Sequence, residues 1–307
     1  MSGPEPSRLR SLLFVPGDSE RKLAKSLGVA ADVLILDLED SVAASQKESA
    51  RGRVREFLVD SRANGGTNSR GGNASRIWVR INPVDLPDAM ADLAAVMGGR
   101  PDGIIQPKTR SPDDLIRLAH YLDAFEAQHG LTPGATKILP VATETPQAIF
   151  STGAYAGCTD RLAGLTWGAE DLMAAVGATT NKQDDGTWSQ PYQLARSLCL
   201  FGAHAAGVPA IDTLFADFRD SLGLRASCAA ARRDGFSGKL AIHPDQVPII
   251  NECFTPSADE VARALRIIAL FEANPGVGTL AMDGQMLDVP HLRQARRIAA
   301  HAQPPAA

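Results

Sequence analysis

The feature that most constrains this chain is a recurrence of short apolar runs that do not alternate with polar residues. Ser11–Pro16 (SLLFVP), Asp32–Leu38 (DVLILDL), Arg76–Ile81 (RIWVRI) and Gly103–Pro107 (GIIQP) are of this kind. So are Lys137–Ala142 (KILPVA), Leu162–Trp167 (LAGLTW), Val208–Asp212 (VPAID) and Lys239–Ile242 (KLAI). A strand with one wet face alternates, whereas a continuously apolar strand is covered on both faces, as in a parallel sheet. Longer amphipathic stretches separate most of the runs, at Glu20–Leu27, near Ser45–Val59 and near Pro87–Met97. Ser111-Pro112-Asp113-Asp114 has the form of a capping box with proline at the first helical position. Thr145-Pro146 opens another helix. Eight strand–helix units over roughly 250 residues predict an α/β fold, a TIM (β/α)8 barrel. The alternative is an open, doubly wound sheet.

Two stretches fall outside the repeat. Ser61–Ser75 (SRANGGTNSRGGNAS) has the composition of a surface loop. Beyond His243 the chain continues with a helix that starts at the capping box Ser257-Ala258-Asp259-Glu260 and ends near Phe271. Gly276-Val277-Gly278, the segment Ala281-Met282-Asp283-Gly284 and a last helix from Pro290 follow. A barrel domain over 1–250 and a C-terminal helical extension over 251–307 are therefore expected. The extension is too small to hold a core alone and should pack on the barrel or on a neighbouring subunit.

Bulk properties exclude several classes. Hydrophobic residues make up 44% and charged residues 21%, as in ordinary globular proteins. With 31 Lys and Arg against 35 Asp and Glu, the net charge of −4 offers no positive field to nucleic acid or an anionic membrane. No apolar run approaches the ~20 residues of a membrane helix. Leu12–Val15, after Arg8 and Arg10, is too short for a signal-peptide core. Cys158, Cys199, Cys228 and Cys253 form no CxxC pair and read as reduced thiols of a cytoplasmic protein. No serine-hydrolase elbow, Walker A loop or dinucleotide fingerprint occurs in the right context.

The chemistry is expected at the C-terminal ends of the strands, which line a barrel's active site. These ends carry Asp37-Leu38-Glu39-Asp40, Arg80 and Asn82, Lys108, Glu144, Gly168-Ala169-Glu170-Asp171, Asp212 and His243. Neighbouring strands lie about 4.8 Å apart, so Glu144 and Asp171 can grip one cation. Two carboxylates completed by water and substrate oxygens suit Mg²⁺, with Mn²⁺ second. The plainer alternative is that each acid caps a helix start. Arg80, in an otherwise apolar strand, needs a partner. It can bind a carboxylate or an enolate oxygen, or pair with Asp37 or Glu39, and the two roles are compatible. Asp37 is grouped with it as catalytic. Lys108 fits a Schiff base or a structural ion pair. His243 fits a base or a thioester contact. Asp283, among Leu280, Ala281, Met282 and Met286, reads as a general acid/base whose pKa its apolar neighbours raise. Otherwise it opens an Asp-Gly turn.

In this order the strand ends resemble the citrate lyase β-subunit-like family, which includes malyl-CoA and citramalyl-CoA lyases. The matching segments are Arg10–Asp18 (RSLLFVPGD), Val33–Asp40 (VLILDLED), Val79–Asn82 (VRIN), Gln106–Lys108 (QPK), Glu144-Thr145 and Gly168–Leu172 (GAEDL). Val208–Asp212 (VPAID), Gly238–Pro244 (GKLAIHP) and the tail Asp283–Met286 with Asp288–Pro290 complete the set. The chain departs from the family at Ser61–Ser75 and at Gln183–Ser189 (QDDGTWS). The resemblance implies that Glu144 and Asp171 hold Mg²⁺ and that Arg80 binds a 2-oxo acid and the developing enolate. It implies that Gly168, Ala169 and Glu170 meet the acid's carboxylate, through the N–H groups of Glu170 and Asp171. It places Phe14, Arg21, Lys25 and His243 near coenzyme A. It implies a homotrimer or hexamer in which Asp283 works in the adjoining protomer's site. The expected reaction is Claisen or retro-Claisen chemistry on a 3-hydroxyacyl-CoA thioester. A bound ion makes the 2-oxo carbonyl more electrophilic, a carboxylate deprotonates the acyl thioester, and the enolate attacks. The rival readings are a class II pyruvate-type aldolase without coenzyme A, which normally lacks the tail, and a barrel kept only for binding or assembly.

Overall fold

The computed structural model describes residues 8–63 and 75–302. Eight parallel strands make one sheet: β1 (Ser11–Pro16), β2 (Val33–Asp37), β3 (Arg76–Arg80), β4 (Gly103–Gln106), β5 (Lys137–Pro140), β6 (Leu165–Thr166), β7 (Ala210–Asp212) and β8 (Gly238–Ala241). The hydrogen-bonded order β5-β4-β3-β2-β1-β8-β7-β6 leaves β5 and β6 to meet. They close a TIM barrel through bridges at Ile138–Leu162 and Val141–Thr166. The open doubly wound sheet is thereby excluded, since these bridges join what would be its two edge strands.

The β5–β6 seam is thin for a covalent reason. Ile138 donates to the Arg161 carbonyl at 2.8 Å and Ala142 to that of Thr166 at 2.8 Å. Pro140 lies between them on the same edge and has no N–H to give. Between the two bridges Ala163, Gly164 and Leu165 oppose Leu139 and Pro140, a one-residue bulge.

Alternate strand residues fill the barrel. Leu12, Val33, Ile35, Trp78, Ile105, Leu139, Val141, Ile211 and Leu240 form one buried cluster with Phe14 packed on it. The period of two then puts Asp37, two residues after Ile35, and Arg80, two after Trp78, on the inward side at the strand ends. The helices between strands are α1 (Glu20–Ser26), α2 (Lys47–Ala63), α3 (Pro87–Val96), α4 (Pro112–Gln128), α5 (Pro146–Ile149), α6 (Glu170–Val176), α7 (Gln190–Ala205), α8 (Ser221–Asp234) and α9 (Gln246–Phe254). In α4 the buried Leu115, Leu118, Ala119, Leu122 and Glu126 recur at helical spacing, so one stripe faces the sheet.

Three local expectations are corrected. Ser111 caps the N–H of Asp113 at 3.2 Å, but Asp114 accepts from Arg110 at 2.9 Å instead of completing a capping box. Ser61–Ala63 are the last turn of α2, while residues 64–74 of the glycine-rich stretch lie outside the described residues. The helix expected at Thr145-Pro146 is only one turn, α5.

Residues 9–251 form one unit, and residues 1–8 with 252–307 a second. The second unit contains α10 (Ala258–Glu272), a hairpin of β9 (Thr279–Met282) and β10 (Gln285–Asp288), and α11 (Val289–Ala302). Ala264, Ile267, Phe271, Leu287 and Ala295 make its own small core. Ser257 and Glu260 form the expected reciprocal capping box, at 3.2 and 2.7 Å. Among the described residues no helix is long and apolar enough to cross a membrane, and all four cysteines are free.

Candidate active site

The C-terminal strand ends carry a connected polar cluster. Arg80 donates from Nε and Nη2 to the two oxygens of Asp37, at 2.7 and 2.6 Å. Its third nitrogen reaches Glu39 at 3.2 Å and Asp40 at 3.5 Å, and its guanidinium lies 4.7 Å from the centre of the Phe14 ring. Burial alone would raise the Asp37 carboxyl, but the Arg80 fork and the N–H of Glu39 outweigh it and hold it below the usual range. Burial pushes the Glu39 carboxyl up to about 7, against the pull of Arg80 and Lys108. The expected pairing of Arg80 with Asp37 and Glu39 is thus present, and it leaves part of the guanidinium facing the acid-rich side.

Lys108 links this group to the next. Its ammonium bonds Glu39 and lies 3.2 Å from Asp40 and 3.3 Å from Asp171. Its backbone N–H donates to Glu144 at 2.5 Å. Of the two roles open to Lys108, the ion pair is the one seen. Glu144 is buried, and burial, with Asp171 beside it, pushes its carboxyl up to about 8 against the opposing Lys108 N–H. Gly168 makes room for it, because a Cβ there would stand 2.7 Å from the Glu144 Cγ. Glu170, next to Asp171, is turned aside to the Asn181 amide at 3.0 Å.

The Glu144–Asp171 pair fits a hard divalent cation. Its donors are carboxylate oxygens, and Glu144 carries the cost of being buried near a like charge, which such an ion would remove. Among the described residues no group of three or more His, Cys, Asp or Glu is arranged around a metal position. A two-carboxylate grip therefore suits an ion that keeps water or substrate in its remaining places.

Beside Phe14 lies a pocket of about 440 Å³, lined also by Arg21, Lys22, Lys25, Ile242 and His243. It brings together the four residues expected near coenzyme A. His243 stacks on Phe218 at 4.8 Å, and its Nδ1 accepts from the Asp245 N–H at 3.2 Å.

Asp283 belongs to the second unit. It sits with φ of 52° at the turn between β9 and β10, followed by Gly284 at 74°, so the Asp-Gly turn reading holds. The expected apolar surround is corrected. The carboxylate is 48% exposed and pairs with Arg266 at 2.9 Å and Arg263 at 3.7 Å.

Sequence reasoning missed Lys47, whose ammonium bonds the carbonyls of Leu38 and Glu39 at 2.7 and 2.8 Å and the Asn82 side chain at 2.8 Å. It also missed Asp92, which accepts from the Asn82 backbone and side chain, each at 2.7 Å. Both sit in helices, where nothing in spacing sets them apart from solvated charges. Lys22, one residue from Arg21, was legible as a third cation on the same short helix.

A family model described as HpcH/HpaI aldolase/citrate lyase matches residues 10–244, and one described as C-C bond lyase of the TIM-barrel fold matches residues 191–304. The citrate lyase subunit beta of Escherichia coli (strain K12) is 31% identical over 296 residues, covering 96% of this chain and 93% of that one. A (3S)-malyl-CoA thioesterase of Cereibacter sphaeroides is 35% identical, covering 96% and 94%. The crystal structure of CitE from Mycobacterium tuberculosis in complex with magnesium, acetoacetate and coenzyme A is 31% identical, covers 97% of this chain and 99% of that one, and has a TM-score of 0.77.

Proposed function

Because this chain belongs to the HpcH/HpaI aldolase/citrate lyase family, we propose that it is a Mg²⁺-dependent carbon–carbon lyase acting on a 3-hydroxyacyl-CoA thioester. It would release an acyl-CoA and a 2-oxo acid, or join them. The observation that carries this reading is the mouth cluster: the Arg80 fork on Asp37, joined through Glu39 and Lys108 to Asp171 and Glu144, with Phe14 under the Arg80 guanidinium also lining a pocket that has three cations. The Mycobacterium tuberculosis relative crystallised with magnesium and coenzyme A supports the same ligands here.

Glu144 and Asp171 would hold the ion, which when bound supplies Lewis acidity to the 2-oxo acid. Arg80, locked by Asp37, keeps its remaining N–H groups aimed at oxygens on which negative charge develops. Gly168, Ala169 and the first N–H groups of α6, which no N-cap side chain satisfies, would take the acid's carboxylate. Arg21 and Lys25 would meet phosphates, and Phe14 and His243 the apolar parts of coenzyme A. A base takes the proton from the carbon next to the thioester, and in cleavage an acid returns it. We assign that group to Asp283 of a neighbouring copy in a trimer or hexamer. It stands half exposed at a hairpin tip, within reach of Arg266 and Arg263.

Three measurements test the proposal. Calorimetry on Glu144→Gln and Asp171→Asn should show lost Mg²⁺ affinity, and wild-type affinity in both would reject the metal assignment. Product analysis on a panel of 3-hydroxyacyl-CoA esters should find a shortened acyl-CoA with a 2-oxo acid. Free coenzyme A with the intact hydroxy acid would mark a thioesterase, the activity named for the Cereibacter sphaeroides relative. For Asp283, mixed Asp283→Asn and Glu144→Gln subunits should regain activity after exchange. A mixture that stays inactive although mass spectrometry shows exchange would sink the shared site.

A further inference from the structure

Charge at the mouth is lopsided. The carboxylates of Asp37, Glu39, Asp40, Glu144 and Asp171 gather there, and the cationic side chains that reach them are Arg80 and Lys108. Arg80 is committed to Asp37 through both arms of its fork. Lys108 is committed to no single partner: its ammonium divides itself among Glu39, Asp40 and Asp171, three acids from two strand ends. Its backbone is unusual as well. Lys108 has φ of 49°, a left-handed conformation that non-glycine residues rarely adopt. In that conformation its N–H points at Glu144 while its side chain reaches Asp171. One residue thus touches both acids of the proposed metal pair.

We infer that Lys108 is a positioning residue that serves as an internal counter-cation for this cluster, holding Asp171 until a divalent ion displaces it. The inference rests on the reading of Glu144 and Asp171 as metal ligands. An ammonium 3.3 Å from Oδ1 of Asp171 and a divalent ion bonded to that carboxylate would repel strongly. The lysine's four-carbon stem lets the ammonium withdraw to Glu39 and Asp40, which already bind it. Metal loading is then an exchange of one cation for another at Asp171. The lysine weakens the metal's hold, and in the metal-free protein it keeps the carboxylates from driving one another apart.

Titration calorimetry with MgCl₂ on the full chain tests this. Lys108→Met should bind Mg²⁺ at least about tenfold more tightly, because the competing charge is gone. Lys108→Arg, which keeps a charge, should stay within about threefold of wild type. Lys47→Met, which removes a nearby charge bonded to carbonyls and an amide, should also stay within about threefold. Unchanged or weaker binding by Lys108→Met overturns the inference, as does equal tightening by Lys47→Met, which would mark a general field effect. A wild-type protein without Mg²⁺ affinity, or ligand variants that bind like wild type, overturns the metal reading and this inference with it. If Lys108→Met does not fold, the wild type itself decides. Reductive methylation of Lys108, read by mass spectrometry, should become at least about twofold faster on saturation with Mg²⁺ as the ammonium loses one partner, and an unchanged rate refutes the exchange.

Discussion

Two arginines, Arg161 buried and Arg80 mostly so, each forked onto a carboxylate, stand at opposite ends of the barrel and are built to opposite purposes. Arg161 precedes β6. Its two nitrogens donate to Glu126 of α4 at 2.8 and 2.6 Å, and it also bonds Asp123 and the Thr136 carbonyl. Glu126 is completed by the N–H groups of Gly134 and Thr136, both at 2.8 Å. Burial works to raise the Glu126 carboxyl, but Arg161 and those N–H groups outweigh it and hold it at about 2. Both oxygens of Glu126 are thus answered by donors from the same neighbourhood. Arg80, by contrast, satisfies Asp37 and still faces Glu39 and Asp40, so its end of the barrel holds acids in excess. The closed set at the bottom ties a loop and a helix to the sheet. The open set at the mouth is left for something else to complete. The same side-chain pair thus reads as stability at one end and as chemistry at the other, in keeping with the polarity of such barrels.

The comparison breaks first at Arg161. Arg161→Met leaves Glu126 buried without its partner and should cost about 3–5 kcal/mol of stability, the scale of halving a buried pair. Denaturant unfolding would measure it, and a loss below about 1 kcal/mol would remove the distinction between the two ends. The effect has a pH signature. Because the folded carboxyl of Glu126 lies at about 2, below its ordinary 4.5, its contribution is complete above about 4.5 and fades as pH falls through about 2. The stability gap between wild type and the variant should therefore narrow over that window, and a gap that widens there would contradict the pairing.

Next comes Arg80→Lys, which keeps the charge and loses the fork. We expect kcat/KM to fall by at least ~10², the scale of one lost oxyanion donor, with little change in melting temperature. Equal losses of fold and activity would make the mouth pair structural, like the one below. Gly168→Ala sharpens the contrast more gently. The added methyl meets Glu144 at 2.7 Å from its Cγ and should loosen Mg²⁺ binding by roughly tenfold without unfolding the barrel, since it displaces the proposed ligand. Wild-type metal affinity would show that the carboxylate can move aside. Smallest is Ser257→Ala, which removes one cap of the second unit and should cost about 1 kcal/mol with Mg²⁺ affinity unaltered.

The barrel was legible because its strands must be apolar on both faces, and all eight runs hold strands, most of them with trimmed ends. Arg80 was legible because a charge inside such a run has to be answered, and the answering acids ended the strand before it. The second unit was read less well. Thr279–Met282 and Gln285–Asp288 flank Asp283-Gly284, the two-residue signature of a hairpin turn, yet Asp283 drew attention to chemistry and away from the turn. Lys47 and Asp92 were beyond sequence alone, because what they do depends on where β2 and β3 end. The ion pair of Lys108 was read from its place at a strand end, but not its reach to both Glu144 and Asp171.

The thin seam between β5 and β6 has a mechanical consequence. A hoop yields where a rivet is missing, and here the absent rivet is the amide that Pro140 does not possess. Along that line the wall is held by one N–H fewer than the spacing allows. The strands on its two sides lead to Glu144 and to Asp171, so the jaws of the proposed metal grip are mounted across that joint.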